Sequence, residues 1–319
     1  MSHVLVTGGA GFIGSHLVER LLAMGDRVSI IDSFDEFYEP AAKRRNIEGA
    51  LTHASCRLYE SDIRDAPALE SVWRREPIDV VVHLAARAGV RPSLANPALY
   101  ADVNVVGTVK LLDAARKFGC GKFIFASSSS IYGNNSKTPF HEDDLVDHPI
   151  SPYAATKKAA EMLCYTYHHL YDLPMTCLRF FTVYGPRCRP DLAIAKFTRL
   201  IDADKPIPMF GDGSMRRDFT YIDDIIDGVV RAIQRCEGYR VYNLGESRPI
   251  ALRDMIDTIA KAMGKPPIIE PQPEQPGDVK ITYADVERAR RELGYNPTTQ
   301  FADGIRRYVD WFHQVHVAS

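Results

Sequence analysis

Short apolar runs alternate with longer amphipathic stretches through the first half of the chain. The runs "HVLVTG" (3–8), "RVSIID" (27–32), "CRLYESD" (56–62), "DVVVHLA" (79–85), "KFIFASS" (122–128) and "MTCLRFF" (175–181) are rich in β-branched or aromatic residues. Most are nearly continuous in apolar character, as expected of strands buried on both faces. Between them, "FIGSHLVERLLAMG" (12–25), "ALYADVNVVGTVKLLDAARKFG" (98–119) and "YAATKKAAEMLCYTYHHLY" (153–171) space their apolar residues as helices do. Strand–helix–strand alternation predicts an α/β fold, with a doubly wound parallel sheet covered on both faces. The pattern then changes. Residues 187–215 and 246–300 are richer in Pro, Gly and irregular runs such as "EPQPEQPGDV" (270–279). They read as a smaller C-terminal lobe over the carboxyl ends of the strands. "RDFTYIDDIIDGVVRAIQRC" (217–236) reads as a return to the sheet. The expected organisation is a first domain of 1–186 with a returning segment at about 216–245, and a lobe of 187–215 and 246–319.

Composition narrows the function classes. The chain has 319 residues, 45% hydrophobic and 25% charged, an ordinary globular mix. Its 39 basic and 41 acidic residues give a net charge of −2, with no basic excess to suggest nucleic acid. No apolar run is long enough to span a bilayer. The N-terminus runs straight into "HVLVTGG", with no visible signal peptide. Six scattered cysteines without a CxxC pair read as reduced thiols of a cytoplasmic protein, neither disulfide framework nor metal site.

Candidate chemistry begins at "LVTGGAGFIGSH", where Gly8, Gly11 and Gly14 follow a strand and open a helix. Glycines let the backbone turn tightly and approach a pyrophosphate, and the helix N-terminus offers N–H groups and a positive dipole end. Phe12 and Ile13 fall between the glycines and complete the expected cofactor-binding loop. Asp32 ends the second strand, 21 residues after Gly11, where a carboxylate would hold a ribose 2′-hydroxyl. A carboxylate there repels a 2′-phosphate, so NAD is favoured over NADP. Lys43, Arg44 and Arg45 weaken that preference slightly, since one could reach a phosphate, although the run reads first as a solvated face. Asp62 and Ile63 follow the third strand, where an adenine edge would lie. Ala85 and Ala86 end the fourth, where small residues let a dinucleotide pass. The sheet is therefore expected to be of Rossmann type.

Tyr153 and Lys157 sit at i and i+4 on one helical face. Ser128 ends the fifth strand, on the carboxyl edge where ligands bind in open α/β sheets. Together, "TGGAGFIGSH", "FASSSSIYG", "YAATK" and "LRFFTVYGP" resemble the extended short-chain dehydrogenase/reductase family, specifically its NAD-dependent nucleotide-sugar 4-epimerases. The resemblance runs over essentially the whole chain. "ARAGVRPSLANP", "HPISPYAATKKAAE", "LRFFTVYGPRCRPDLAIAKF", "MRRDFTYIDDI" and "PGDVKITYAD" are closest to the members acting on UDP-glucuronate.

The resemblance implies reversible 4-epimerisation of UDP-glucuronate to UDP-galacturonate through a 4-keto sugar, with NAD regenerated each cycle. Tyr153 would be the general base and Lys157 would favour its phenolate while holding the nicotinamide ribose. Ser128 matches the catalytic Ser/Thr position, and Ser127, Ser129 and Ser130 would line the sugar pocket. A capping role competes for Ser127. The related 4,6-dehydratases carry Asp-Glu just after the catalytic Thr, and the UDP-glucuronate decarboxylases carry Glu two residues after it. Here those positions are Ser129 and Ser130, so the extra acid–base group is missing. Thr182 stands where uronate epimerases contact the carboxylate and galactose epimerases carry Asn. Arg189 would sit near the acid sugar, Arg217 near the pyrophosphate, and Asp278 near the uridine ribose, although Asp278 also suits a plain turn. The alternative is a UDP-glucose/UDP-galactose or broad-specificity epimerase. A homodimer is implied through the helices around 98–118 and 153–171.

Overall fold

The computed structural model describes residues 1–273 and 281–317. Strands and helices alternate from the start: β1 (His3–Thr7), α1 (Phe12–Ala23), β2 (Arg27–Asp32), α2 (Pro40–Leu51), β3 (Cys56–Glu60), α3 (Ala66–Arg75) and β4 (Val80–His83). Two short helices, α4 (Val90–Ala95) and α5 (Pro97–Ala101), lead through a π-helical turn at Asp102–Val106 into α6 (Gly107–Lys117). Next come β5 (Lys122–Ser128), a 3₁₀ turn at Ser129–Tyr132, α7 (Pro152–Tyr171) and β6 (Met175–Phe180). The remaining elements are β7 (Thr182–Tyr184), α8 (Ala193–Asp202), β8 (Ile207–Phe210), β9 (Arg216–Tyr221), α9 (Ile222–Gln234) and β10 (Tyr239–Leu244). The chain closes with β11 (Pro249–Ala251), α10 (Leu252–Met263), β12 (Ile269–Gln272), β13 (Ile281–Thr282), α11 (Glu287–Leu293) and α12 (Phe301–Val317).

Seven strands form one parallel sheet in the order β10-β6-β5-β4-β1-β2-β3. Every residue of β1 and β4 is buried, because helices cover both faces. Alternate side chains feed two apolar cores. Val4, Val6, Ile30, Val82 and Ile124 pack on one face with α1 and α9. Leu5, Ile31, Val81, Phe123 and Phe125 pack on the other with Trp73, Leu111, Leu112 and Cys164. The order reverses between β1 and β4, so the loops leaving these two strands diverge and leave a crevice at their carboxyl ends.

All six strands expected from the sequence are present, and the fold is the expected doubly wound α/β sheet of Rossmann type. The seventh, β10, lies in the returning segment, where the apolar run "VYNL" is too short to stand out. The single helix expected over 98–119 is divided by the π turn. β9 belongs to a second, smaller sheet with β7, β11 and β13, and the return to the large sheet runs through α9 and β10. Among the described residues no helix is long and apolar enough to cross a membrane, and no group of His, Cys, Asp and Glu could hold a metal ion.

Candidate active site

The crevice is floored by the glycine loop. Gly8 has φ +70°, and a Cβ there would lie 2.8 Å from the Ala85 backbone N. A Cβ on Gly14 would lie 2.2 Å from the Gly8 carbonyl oxygen. Only glycine fits either place. Gly11 takes the N-cap position of α1, where no side chain can cover the helix end. The loop therefore presents bare backbone and a helix N-terminus to the crevice, the arrangement a pyrophosphate requires. Gly8, Gly11, Phe12, Ile13 and Gly14 all line it, together with Ala85 and Ala86.

Asp32 is buried at the end of β2. Its two oxygens accept from the Ala10 N–H at 3.0 Å and the Phe34 N–H at 2.9 Å. Burial raises its pKa against those hydrogen bonds and the Lys43 charge. Lys43 departs from the solvated face expected for it: it is buried, lines the crevice, donates to the Asp35 carbonyl at 2.5 Å and stands over the Tyr38 ring. Arg44 is exposed and paired with Glu60. Asp62 binds Arg64 through the backbone N–H, Nε and Nη2, which holds its carboxyl below the usual range despite partial burial. Ile63 is buried under Gly107, where a Cβ would come within 2.7 Å of it.

The opposite wall carries the tyrosine and lysine expected to do the chemistry. Ser151 caps α7 by accepting from the Ala154 N–H at 3.1 Å, with Pro152 in the first turn. This fixes the start of the helix, and so the first-turn Tyr153. Lys157 is buried one turn on. Its Nζ donates to the Ala126 carbonyl at 2.8 Å and lies 5.0 Å from the centre of the Phe125 ring. Burial lowers its pKa to about 8, against Cys164 and Glu161. The Tyr153 ring is partly open to the crevice and meets Tyr100 edge-on. Burial of its hydroxyl end raises the phenol pKa; Ser128 and then Arg189 oppose that rise. Arg189 is thus one cation that favours the phenolate in this geometry, from across the crevice.

The four serines separate. Ser127 Oγ is buried, lines the crevice and has no hydrogen-bond partner among the described residues. The capping role considered for Ser127 falls to its neighbour: Ser128 Oγ accepts from the Ser130 N–H at 3.2 Å and donates to Ser130 Oγ at 3.1 Å, starting the 3₁₀ turn. Ser129 and Ser130 lie on that turn, beyond the residues that line the dinucleotide crevice. Thr182 on β7 and Arg217 on β9 are also outside it, on the small-sheet side. Arg189 does line it, held to Asp191 through Nε and Nη2 at 3.0 and 2.9 Å. Asp278 lies outside the described residues.

Sequence reasoning missed three contributors. Asn104, in the π turn, accepts from the Arg87 N–H and donates to the Arg87 carbonyl and Thr156 Oγ1. It ties the loop after β4 to α7. An extra residue in a helical turn leaves no mark on a 3.6-residue pattern, although such turns favour functional positions. Phe37 and Arg87 form the crevice rim: Arg87 pairs with Asp35, and Arg87 and Arg189 both lie over the Phe37 ring. Phe37 sits in the mixed aromatic and acidic run "FDEFYE" (34–39) and Arg87 in "ARAGVRPSLANP"; neither string by itself says that the two meet at the crevice rim.

The residues present fit a bound NAD. The glycine cradle admits a pyrophosphate, Asp32 retains acceptor capacity for ribose, and Ser127, whose buried hydroxyl has no partner among the described residues, lines the crevice. Comparison with known proteins agrees. The profile of the family described as GDP-mannose 4,6 dehydratase matches residues 5–308. A UDP-glucuronate 4-epimerase of Thermodesulfobacterium geofontis is 44% identical over 312 residues, 98% of this chain and 96% of that protein. The crystal structure of a UDP-glucuronic acid 4-epimerase from Bacillus cereus, in complex with UDP-glucuronic acid and NAD, superposes with a TM-score of 0.92 at 38% identity, covering 98% of this chain and 99% of the other. A UDP-glucose 4-epimerase of Thermotoga maritima with UDP-glucose superposes with a TM-score of 0.90 at 32% identity, with the same coverage.

Proposed function

The chain belongs to the extended short-chain dehydrogenase/reductase family that includes the UDP-glucuronate 4-epimerases, and from that premise we propose that it interconverts UDP-glucuronate and UDP-galacturonate. One observation carries the reading: Tyr153, Lys157 and Ser127 line a glycine-cradled crevice, with Ser128 next to Ser127 at the end of the same strand, while the positions that bear acids in dehydratases and decarboxylases are Ser129 and Ser130. Bound NAD supplies acceptance and return of hydride at the sugar C4, so the net reaction is redox-neutral. Gly8, Gly11, Phe12, Ile13 and Gly14 hold the pyrophosphate end, Asp32 the adenosine ribose, Asp62 and Ile63 the adenine side. Ala85 and Ala86 leave room for the dinucleotide to pass.

Tyr153 takes the proton of the sugar 4-hydroxyl and later returns it. Ser128 orients the reacting oxygen through the hydroxyl it shares with Ser130. Lys157, charged at neutral pH, holds the nicotinamide ribose. Ser127, Ser129, Ser130 and Thr182 offer hydroxyl donors to the sugar, and Arg189 meets the carboxylate through Nη1, the nitrogen its pairing with Asp191 leaves. The uridine diphosphate falls to the smaller lobe, with Arg217 on the pyrophosphate and Asp278 on the ribose. The scattered cysteines, all free, suit the cytoplasm. Exposed Met162, Tyr165, Leu170 and Tyr171 on α7 supply an apolar face for a homodimer.

The test is incubation of the purified protein with UDP-glucuronate, without added NAD and then with it, with products identified by NMR. UDP-galacturonate is the expected product. The Tyr153→Phe protein should keep NAD and lose about a thousandfold in kcat, the middle of the range for a general base. Turnover of UDP-glucose with none of UDP-glucuronate would replace this reading by the neutral-sugar epimerase.

A further inference from the structure

Tyr153, Lys157 and Glu161 follow one another at i, i+4 and i+8 on a single face of α7, and the third has no part in the reaction described above. Glu161 is 2% exposed, and its two oxygens accept from Nε and Nη2 of Arg179, each at 3.0 Å. Arg179 is equally buried on β6, directly beside Ser127 in the sheet. Its Nη1 donates to the Tyr132 hydroxyl at 2.9 Å and to the Glu142 carbonyl at 3.0 Å. Tyr132 ends the serine turn, and its hydroxyl donates to Asn243 Oδ1 on β10 at 2.7 Å. Asn243 Nδ2 then donates to the Phe140 and Asp285 carbonyls. One carboxylate on the catalytic helix is thus tied, through one guanidinium, to the turn that carries Ser129 and Ser130.

A buried ion pair is a costly way to join two elements, since apolar side chains of similar size pack as well or better. Its charge therefore asks for a use, and Lys157 is one turn away. The titratable groups facing Lys157 are Glu161 and Cys164 on its own helix and His83 on β4. β5 offers only the Ala126 carbonyl and the Phe125 ring, and the β6 charge, Arg179, is spent on Glu161. Burial pushes the Cys164 thiol well up, so it is uncharged, and pushes His83 down to about 3, so it is neutral. Glu161 is the one anion beside the buried ammonium among the described residues.

We propose that Glu161, clamped by Arg179, is a positioning residue for the epimerisation: its carboxylate keeps Lys157 charged and aligned along the Tyr153 face, while Arg179 fixes that face to the serine turn. This rests on the functional reading above. Without Glu161, the buried Lys157 loses its proton at lower pH, and Tyr153 then ionises at higher pH.

The decisive protein is the double variant Glu161→Gln/Arg179→Met, which removes both members of the ion pair together and strands neither one's charge. It should fold and retain NAD, with KM for UDP-glucuronate within about threefold of the parent and kcat lowered about tenfold. The alkaline limb of kcat should move down by about one pH unit, a tenfold change in proton affinity. Arg179→Lys keeps a cation on Glu161 and should leave the limb in place. The same coupling is read without substrate, as the tyrosinate absorbance of each NAD-bound protein minus that of its Tyr153→Phe partner. There the double variant should ionise Tyr153 at higher pH. An unchanged limb and an unchanged tyrosinate titration would overturn the inference, as would loss of folding or of NAD binding in the double variant. A parent that does not epimerise overturns the functional reading alone, because the absorbance titration still decides the role of Glu161.

Discussion

The two walls of the crevice are built differently. The wall assigned to the dinucleotide is mostly backbone: a glycine turn, a helix end, and an aspartate that already holds the turn together from behind. The wall assigned to the sugar is mostly side chains, drawn from β5, α7 and the loop after β7, and continued past the crevice by β7 and β9 on the small-sheet side. A backbone surface tolerates almost no change where it is tight, because nothing can rotate aside. A side-chain surface can lose one hydroxyl and keep its shape. The first wall should therefore fail all at once and the second by degrees.

Gly14→Ala is the harshest test of that contrast. The added Cβ would stand 2.2 Å from the Gly8 carbonyl and 2.7 Å from the Gly9 Cα, both backbone atoms. The loop must open to admit it, at a cost of about 1–3 kcal/mol from overpacking. The expected outcome is purification without bound NAD and no measurable epimerisation, with added NAD restoring little. Cofactor content by absorbance and turnover together check it. A variant that keeps NAD would mean the loop is looser than its contacts indicate, and the contrast between the walls would weaken.

That same contrast decides what could be read in advance. The glycine loop was legible because its steric demand is local, and three glycines at fixed spacing after a strand state it almost completely. Asp32 was legible for the same reason: strand, turn and helix fix its place. Most of the six strands were legible as nearly continuous apolar runs; β3, at the sheet edge, is mixed and only partly buried. The sugar wall depends on which distant strands become neighbours. Nothing near Glu161 in the sequence says that Arg179 faces it, since the pairing follows from β6 lying under α7. Lys157 was assigned its helix face, but not its bond to the Ala126 carbonyl, which directs its ammonium at β5. Lys43 read as solvent-exposed because a helix surface is the usual place for a lysine; the loop after β2 folds over and buries it. Asn104 was hidden by the π turn around it.

On the sugar wall, Thr182→Val keeps shape and removes one hydroxyl. If that hydroxyl meets the sugar carboxylate, its loss should cost about tenfold in kcat/KM, the scale of one hydrogen bond to a charged group. A second effect would be more telling. The 4-keto form of a uronic acid is a β-keto acid, and it loses CO₂ when the carboxylate C–C bond aligns with the carbonyl π system. A carboxylate held by fewer donors turns more freely, so a small fraction of UDP-pentose should accompany the epimer. Clean epimerisation at reduced rate would separate binding of the carboxylate from protection against decarboxylation.

The smallest effect tests the rigid wall without touching its surface. The His83 ring is fully buried, with one nitrogen 2.7 Å from Thr7 Oγ1 on β1 and the other 2.9 Å from Thr108 Oγ1 on α6. Burial, with the Lys157 charge adding to it, lowers its pKa to about 3. The folded protein therefore needs the neutral ring, while the unfolded chain takes up a proton below about pH 6.5. The unfolded state then binds more protons, so stability falls as pH drops from about 6.5 toward 3, by up to about 1.4 kcal/mol per pH unit. Between pH 6.5 and 5 this one group should remove about 2 kcal/mol, visible as a falling urea midpoint. His83→Gln, which cannot protonate, should be less stable at neutral pH but flatter over that interval. Thr7 and Thr108 flank the glycine loop and the π turn, so the loss should appear first as NAD release, ahead of any change at the small lobe. Release of NAD that follows unfolding rather than precedes it would show that the two walls share one cooperative unit, and the difference between them would then be one of surface alone.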